Sequence, residues 1–368
     1  NCEGAIELLK PLIDEKEPIF LTWLPLSHSY EHTVQFIQIL IGAKVFYAES
    51  LEKLISNMKI AKPTIMTAVP RFYQNLHTKI NMNFEKQTGL KKKLIKQTLK
   101  LGTKILKNEQ LSFNDKIINF FCDKLVRKKI RNQFGGNLQA FVSGGGALDQ
   151  SIGNFLNSVG LPTLQGYGLT ETLEATFLLS SDHVLDGDAT VLKRLGSAGR
   201  EAIGAELKII NENGKELMTG EVGEILIRSK SVISGYWDMP EETSRVISDG
   251  WFHTGDLGYL DDDRYLFVVD RKKDMVISGG VNIYTREIES RLYQHQDIIE
   301  AAVVGLPDEN WGEIVTAIVV AKSGSQIDER EVVEFCGETL ASFKKPKKVI
   351  FRDELPKNPS GKILKRDI

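Results

Sequence analysis

The sequence has few cysteines and no long apolar run. Its 368 residues include three cysteines, Cys2, Cys122 and Cys336, which are odd in number and lack the spacing of metal ligands. This excludes a disulfide framework and a zinc site, and it favours a reducing, cytoplasmic location. No uninterrupted apolar run reaches about 18 residues, so no membrane-spanning helix is predicted. A signal peptide is also lacking, although the chain begins at Asn1 rather than at a methionine.

A strong net charge is missing as well. The formal net charge is −2, which argues against a dedicated nucleic-acid-binding protein. The sequence is 42% hydrophobic and 26% charged, so a folded chain with a sizeable core is expected rather than a disordered one. The length allows two domains or more.

One segment departs from this balance. Residues 86–131 hold 14 Lys/Arg against 3 Asp/Glu, a local charge of +11, which leaves −13 for the rest of the chain. Leucine and isoleucine recur there at helical spacing, and Ser112 with Asp115 predicts the start of a second helix. The segment is therefore a basic helical hairpin. Its charge fits either a solvated helix face or contact with anionic lipid or a phosphate-bearing ligand, which would place the protein peripherally on the inner face of a membrane.

Periodicity divides the chain further. Residues 18–70 alternate short apolar strands with helical patterns, the rhythm of βαβ units. Residues 196–270 are glycine-rich with short alternating runs, which favours β-hairpins or a small barrel. After residue 273, apolar strands return, and Asp328 with Glu331 predicts a helix that runs through Phe343. The expected fold class is α/β with a small mobile α+β domain at the carboxyl end.

Two glycine-containing motifs carry candidate chemistry. "SGGGAL" (143–148) follows a strand, and Gly144, Gly145 and Gly146 would allow a flat ligand or a phosphate to approach the backbone, although a glycine turn before a helix is common. "QGYGLTETL" (165–173) combines Gly166 and Gly168 around Tyr167 with Thr170 and Glu171. An aromatic ring, a hydroxyl and a carboxylate suit ring stacking, phosphate contact and Mg²⁺ ligation. The alternative is an aromatic strand end followed by a helix that begins at Thr170.

Two further motifs follow. "DGWFHTGDLG" (249–258) places Asp256 where its carboxylate could accept both hydroxyls of a ribose, or where it could form an Asx-turn in a hairpin. "DRKKDMVISGGVNIYTREIE" (270–289) puts Arg271 and Lys273 before a second glycine pair, Gly279 and Gly280. In "NPSGKILKR" (358–366), a proline–serine–glycine turn precedes Lys362, which is either a solvated tail residue or a lysine presented to an anionic ligand.

In this order the motifs resemble those of the AMP-forming, adenylate-forming synthetases, including acyl-CoA synthetases, luciferases and peptide-synthetase adenylation domains. The motifs that carry the resemblance are "LPLSH" (24–28), "YGLTE" (167–171), "GEILIRS" (223–229), "HTGD" (253–256), "DRKKDMVISGG" (270–280) and "NPSGKILKR" (358–366). The resemblance implies that residues 1–271 are the carboxyl-terminal part of a large AMP-binding domain, with a basic insertion at about 85–135 and a β-rich part at 196–270. Residues 272–368 would be a small lid domain.

The resemblance also implies roles for single residues. Tyr167 would stack on adenine, between Gly166 and Gly168, and Gly144 to Gly146 would line the adenine and acyl site. Thr170 would contact phosphate and Glu171 would hold Mg²⁺, while Asp256 and Arg271 would bind the ribose hydroxyls. Lys273 matches the hinge, Gly279 and Gly280 would enter the site in the second half-reaction, and Lys362 would bridge the carboxylate and the α-phosphate. His28 would lie near the acyl and pantetheine channel, or be a buried core histidine.

The implied reaction joins a carboxylic acid to CoA through an acyl-adenylate, with ATP and Mg²⁺. The basic insertion, "HSYEH" (28–32) and "DKLVRKKIRNQFGGNLQAFVSGG" (123–145) are similar to those of long-chain fatty acid–CoA ligases. Two alternatives to a CoA ligase remain. One is a ligase that delivers the acyl group to a carrier protein, and the other is a non-catalytic protein that binds nucleotide or acyl ligands. The family's phosphate loop upstream of "LPLSH" is absent, so this chain is expected to be a fragment of a larger ligase.

Overall fold

The computed structural model describes residues 1–14, 16–106, 109–146, 148–177, 196–358 and 363–368. Within these ranges the strands form three sheets, with helices against the first and third. The predicted α/β fold class, with a small α+β unit at the carboxyl end, is confirmed by this architecture.

The first sheet has the strand order β2-β1-β3-β4-β5-β6-β7 in the described part of the chain. Strands β1 to β5 are parallel, and β6 and β7 add antiparallel pairings. The central strands β3 and β4 are buried on both faces because helices cover them, as in other parallel sheets. The strands are β1 Ile19–Thr22, β2 Lys44–Tyr47, β3 Ile65–Ala68, β4 Ala140–Ser143, β5 Thr163–Leu169, β6 Leu173–Phe177 and β7 Arg200–Glu201.

Apart from α1, which precedes β1, the helices of this region lie in the connections between the parallel strands. They are α1 Cys2–Ile13, α2 Ser29–Leu40, α3 Leu54–Ala61, α4 Pro70–Glu85, α5 Gly89–Leu106, α6 Phe113–Cys122, α7 Lys128–Gln133 and α8 Gln150–Ser158. A π-helical turn, Asp123–Arg127, joins α6 to α7 without a break. The predicted basic hairpin is confirmed as α5 and α6, and the Ser112 hydroxyl accepts the Asp115 amide at 3.1 Å as the capping pattern predicts.

The second sheet is antiparallel. It contains β8 Ala205–Ile210, β9 Gly223–Ser229, β10 Ile247–Ser248, β11 Trp251–Leu260 and β12 Leu266–Arg271, with α9 Pro240–Val246 before β10. Its apolar face packs around Ile225 and Leu266 and includes Tyr167 from the end of β5. The second sheet therefore packs against the first sheet at the carboxyl end of β5.

The third sheet forms the carboxyl-terminal unit. It contains β13 Val276–Ser278, β14 Val281–Ile283, β15 Ile298–Asp308, β16 Gly312–Ala321 and β17 Lys348–Phe351, with helices α10 Thr285–Leu292 and α11 Glu329–Gly337 and single 3₁₀ turns at Ser342–Lys344 and Lys365–Asp367. Its core lies between the sheet and both helices.

Asp328 caps α11 as predicted, since its carboxylate accepts the Glu331 amide at 2.8 Å. The prediction that this helix runs through Phe343 is wrong, because α11 ends at Gly337. Glycine is a poor helix former, and the chain is already extended at Ala341 (φ −58°, ψ 149°), so the apolar spacing beyond Gly337 belongs to a turn.

Candidate active site

A cleft lies at the carboxyl edge of the first sheet. Strands β1, β3, β4 and β5 run parallel, so the segments that follow them meet at this edge, where ligands of open α/β sheets bind. The cleft has a volume of about 850 Å³. The third sheet closes its other side with Val303 and Val304 of β15, and Lys365 also lines it. The predicted site residues among its lining are His28, Gly145, Gly146, Gly166, Tyr167, Gly168, Asp256, Arg271 and Lys273.

Tyr167, Asp256 and Arg271 form a connected group in this cleft. The Tyr167 hydroxyl donates to Asp256 Oδ2 at 2.8 Å, and Arg271 Nε lies 3.2 Å from Asp256 Oδ1. Asp256 and Arg271 are directly opposite each other on β11 and β12. Burial, together with the neighbouring carboxylate, raises the pKa of Tyr167 well above its ordinary value, so the hydroxyl stays a donor. The group presents an aromatic ring, a carboxylate and a guanidinium to one ligand.

Asp256 lies in a strand rather than in a turn. It is buried within β11, where Gly255 has φ +68° and the pairing with β9 shifts between His253 and Leu257. This irregularity in the pairing interrupts the regular alternation of side chains next to Asp256. The alternative of an Asx-turn in a hairpin is therefore wrong.

The "SGGGAL" loop follows β4, and a side chain at Gly144 is excluded sterically. A Cβ there would lie 2.7 Å from the ring of Tyr30, whose hydroxyl donates to the Val142 carbonyl at 2.8 Å. Gly145 has φ +72°, which favours glycine, and both Gly145 and Gly146 line the cleft. Gly144 itself does not appear among the lining residues, so its contribution is to let the loop pack on Tyr30.

Thr170 and Glu171 lie in the tight turn between β5 and β6, which form an antiparallel hairpin. The alternative of a helix that begins at Thr170 is therefore wrong. The Thr170 hydroxyl lies 3.4 Å from that of Ser29. Glu171 Oε1 accepts a hydrogen bond from the Tyr236 hydroxyl at 2.9 Å, and burial, together with this carboxylate, raises the pKa of Tyr236 to about 12.

Glu171 lines a second cavity of about 630 Å³, which shares Asp256, Arg271 and Lys273 with the first. Among the described residues, no three His, Cys, Asp or Glu side chains lie close enough to hold a metal ion by themselves. A single oriented carboxylate is the donor set expected when most ligands of Mg²⁺ are phosphate oxygens and water. Glu171 therefore fits the predicted role of one Mg²⁺ ligand.

His28 is the capping residue immediately before helix α2. Its Nδ1 accepts the Tyr30 amide at 3.2 Å, and the side chain is exposed on the wall of the cleft. The alternative of a buried core histidine is therefore wrong. The imidazole lies next to Gly145, since a Cβ added to this glycine would be 3.9 Å from His28 Cε1.

The remaining predicted residues lie on the carboxyl-terminal side. Lys273 is exposed between β12 and β13, where the second sheet gives way to the third. Gly279 and Gly280, with φ +59° and +78°, form the turn between β13 and β14 and do not line the cleft. Lys362 lies outside the described residues.

Sequence reasoning missed a buried polar cluster on α10. Lys365 Nζ lies 2.7 Å from Glu289 Oε1, and burial raises the pKa of Glu289. Asp270 Oδ2 accepts the amide and the hydroxyl of Thr285 at 2.5 and 2.9 Å, which ties the end of β12 to the first turn of α10. Arg286, also on α10, lines the cleft. The only sequence signal was the charged run "YTREIE" (284–289), which is also typical of a solvated helix.

An ion-pair group joins elements from the two sides of the cleft. Arg71 at the start of α4 lies 3.0 Å from Glu300 of β15, and Lys357 contacts the same carboxylate at 2.5 Å. The Glu300 side chain is largely shielded from solvent, whereas that of Arg71 is about two-fifths exposed. Solvent therefore screens the Arg71–Glu300 ion pair mainly from the Arg71 side. It is a direct polar contact between the first sheet's helices and the third sheet.

Comparison with known proteins gives two family matches. The model of the AMP-binding enzyme family matches residues 4–237, well over half of the chain, and that of the AMP-binding enzyme C-terminal domain matches residues 287–362.

Relatives and solved structures agree with these matches. The chain is 43% identical over 226 residues to the long-chain-fatty-acid–CoA ligase FadD13 of Mycobacterium tuberculosis, covering 61% of this chain and 43% of that protein. It is 37% identical over 252 residues to the 2-succinylbenzoate–CoA ligase of Geobacillus kaustophilus, covering 68% and 50%. The crystal structure of ATP-bound MatB from Rhodopseudomonas palustris superimposes with a TM-score of 0.75 at 28% identity, covering 100% of this chain and 62% of that one. The chain thus spans about half the length of the curated relatives it matches.

Proposed function

Because the chain belongs to the family of AMP-binding enzymes, we propose that it functions as an acyl-CoA ligase. Such a ligase activates a carboxylic acid with ATP and then transfers the acyl group to CoA. The observation that carries the proposal is the cleft-lining group of Tyr167, Asp256 and Arg271. It combines a ring for adenine with a carboxylate and a guanidinium for ribose hydroxyls.

In the first half-reaction, a carboxylate oxygen of the acid attacks the α-phosphorus of ATP, and the bond to the pyrophosphate oxygen breaks. Reactions of this kind depend mainly on positioning and on charge neutralisation. Tyr167, Asp256 and Arg271 would fix the nucleoside, and Gly145 and Gly146 would bring backbone close to the adenylate. Glu171, oriented by Tyr236, would hold Mg²⁺, which neutralises phosphate charge when bound.

In the second half-reaction, the sulfur of CoA attacks the acyl carbon, and AMP leaves with the former carboxylate oxygen. Gly279 and Gly280 lie outside the cleft lining, so a rotation of the third sheet near Lys273 is needed to bring them in. Such a rotation would break the contact between Arg71 and Glu300.

We further propose that the acid is a long-chain fatty acid. The 43% identity to a long-chain-fatty-acid–CoA ligase and the helical insertion support this choice. The comparable similarity to a 2-succinylbenzoate–CoA ligase makes acid specificity the point to test.

The test is an assay of AMP release with ATP, CoA and either palmitate, ferulate or 2-succinylbenzoate. We expect release with palmitate well above that with either aromatic acid. Preference for an aromatic acid would overturn the substrate class but keep the ligase, whereas no AMP release with any acid, despite nucleotide binding, would favour the non-catalytic alternative. Competition between CoA and a pantetheinylated carrier protein then identifies the acceptor.

A further inference from the structure

The basic hairpin is held rigidly against the rest of the chain. Lys104 of α5 pairs with Asp115 of α6 at 2.9 Å, and the Cys122 thiol at the end of α6 contacts the Leu94 carbonyl near the start of α5, so the two helices are antiparallel. A Cβ on Gly102 would lie 2.5 Å from Ser158 Cβ, so α5 is seated closely on α8. The outer surface of the hairpin is therefore a fixed feature of the fold.

Helix α6 and the following π-helical turn carry an exposed row of large apolar side chains, which we call the apolar stripe. Four of its members lie four residues apart along the helix, and Phe120 lies beside Phe121, whereas Cys122, Val126 and Ile130 face inward and are buried. Phe113, at 78% exposure, is the most exposed of them. The apolar stripe consists of Phe113, Ile117, Phe120, Phe121 and Leu125.

Exposed lysines lie on both helices of the hairpin. Lys116, Lys124 and Lys128 are exposed on the same continuous helix, and Lys124 Nζ lies 4.5 Å from the ring centroid of Phe120. On α5, a second set of exposed lysines recurs at helical spacing, which we call the lysine row: Lys92, Lys93, Lys96 and Lys100. The segment 86–131 carries a net charge of +11.

We propose that this hairpin docks on the surface of an anionic lipid bilayer, with the apolar stripe inserted at the headgroup level and the lysines on lipid phosphates and carboxylates. Apolar aromatic residues interleaved with lysines are the composition of helices that lie in a membrane interface, where lysine stems can also bury along apolar surface. No described helix combines the length and the hydropathy needed to cross a bilayer. The charge identifies the partner, since a positive patch complements the anionic inner leaflet of a cytoplasmic membrane.

The position of the hairpin suits this contact. Helix α4 begins at Pro70, which lines the cleft, and ends at Glu85, just before α5. Its 16 residues span about 24 Å at ~1.5 Å per residue. A membrane-bound hairpin would thus hold the cleft within a short distance of the bilayer. The docking proposal does not depend on ligase activity, because lipid binding is measured without turnover.

The test is co-sedimentation of the purified chain with vesicles of phosphatidylcholine alone and of phosphatidylcholine mixed with phosphatidylserine. We expect binding to the anionic vesicles that weakens as salt is raised. Replacing all four members of the lysine row with glutamine should weaken it by at least about a hundredfold, because each lysine near an anionic surface contributes about fivefold. A matched control removes the same charge at four exposed lysines outside the hairpin, Lys16, Lys59, Lys215 and Lys348, and should bind like the wild type.

The apolar stripe is tested separately with Phe113→Ser combined with Phe120→Ser. We expect weaker binding to anionic vesicles at every salt concentration, with an unchanged circular dichroism spectrum because both rings are exposed. If these substitutions disturb the hairpin, the lysine-row variant still decides the question. The proposal is overturned by an absence of binding to anionic vesicles, or by equal loss in the lysine-row variant and its matched control. If the wild type instead forms a dimer without lipid, and the serine variant is a monomer, the partner of the apolar stripe is a second copy of the chain, and the lipid proposal is overturned.

Discussion

The Tyr167 hydroxyl donates a 2.8 Å hydrogen bond to the buried carboxylate of Asp256, which lies 89 residues further along the chain. This contact joins the last strand of the first sheet's parallel set to the longest strand of the second sheet. It fixes the edge of the Tyr167 ring beside the carboxylate, so that the ring face and the carboxylate can serve one nucleoside.

Two substitutions at Tyr167 separate the ring from the hydroxyl. Tyr167→Phe keeps the ring but removes the hydrogen bond, and we expect AMP binding to weaken by about 2- to 10-fold. Tyr167→Ala also removes the stacking surface, and we expect a loss of about 10- to 100-fold, since stacking on an aromatic side chain contributes about 1–3 kcal/mol per base. Calorimetric titration of AMP measures both. Equal losses in the two variants would contradict a stacking role for the ring.

Tyr236 is predicted to orient Glu171 toward Mg²⁺. Tyr236→Phe removes the 2.9 Å hydrogen bond to Glu171 Oε1, and we expect the Mg²⁺ concentration that half-maximally promotes ATP binding to rise about tenfold. Binding of ATP without Mg²⁺ should not change. Tyr47→Phe, at an exposed tyrosine of β2, is the control and should leave the Mg²⁺ dependence as in the wild type. If Tyr236→Phe changes only the binding of ATP without Mg²⁺, the assignment of Glu171 as a Mg²⁺ ligand is contradicted.

Glu31 is predicted to make stability fall with rising pH. Burial on α2 raises its pKa from 4.5 to about 7, and among the described residues its Oε1 has no hydrogen-bond partner, while Oε2 accepts from Thr67 at 2.9 Å. Between pH 4.5 and 7 the folded chain binds more protons here than the unfolded chain, so the free energy of unfolding decreases as pH rises through this window. The decrease from this group is about 3 kcal/mol at most, at about 1.4 kcal/mol per unit of pKa.

The comparison with Glu31→Gln isolates this effect. The amide cannot ionise, so the difference in stability between wild type and variant should grow in favour of the variant from pH 4.5 to 7 and then level off. Urea unfolding at several pH values measures it. A difference that does not change with pH would show that Glu31 ionises equally easily in both states.

Lys362 lies outside the described residues, and the resemblance alone gives it a role. We expect Lys362→Ala to abolish adenylate formation while sparing thiolysis of supplied acyl-adenylate, because its ammonium would act only on charge that develops at phosphorus. Pyrophosphate release and CoA-thioester formation report the two halves separately. Lys348→Ala, at an exposed position on β17, should leave both unchanged, and an equal loss of both halves in Lys362→Ala would refute the assignment.

Local patterns predicted the elements better than the contacts between them. The caps at Ser112 and Asp328 followed from residues three apart, because a helix start is determined locally. The reach of α11 was overestimated, because apolar residues in the turn after Gly337 imitate helical spacing.

The site shows the same division. Residue chemistry alone left Asp256 and Thr170 with structural alternatives, since each motif is compatible with an ordinary turn. The order of six motifs identified their common site, but not the Tyr167–Asp256 bond across 89 residues. The pair of Glu289 and Lys365 was missed because its partners are distant in sequence and each alone is typical of a solvated surface.

The most direct test of the account is the affinity of the chain for AMP and for 2′,3′-dideoxy-AMP, measured by calorimetry in the wild type and in Asp256→Asn. If Asp256 accepts the ribose hydroxyls, the wild type should prefer AMP by at least about tenfold, since a hydrogen bond to a charged group contributes about 1.5–3 kcal/mol. Asp256→Asn should lose most of that preference. Equal affinity of the wild type for both nucleotides, or a preference that survives in Asp256→Asn, would contradict the assignment of this cleft as the adenylate site.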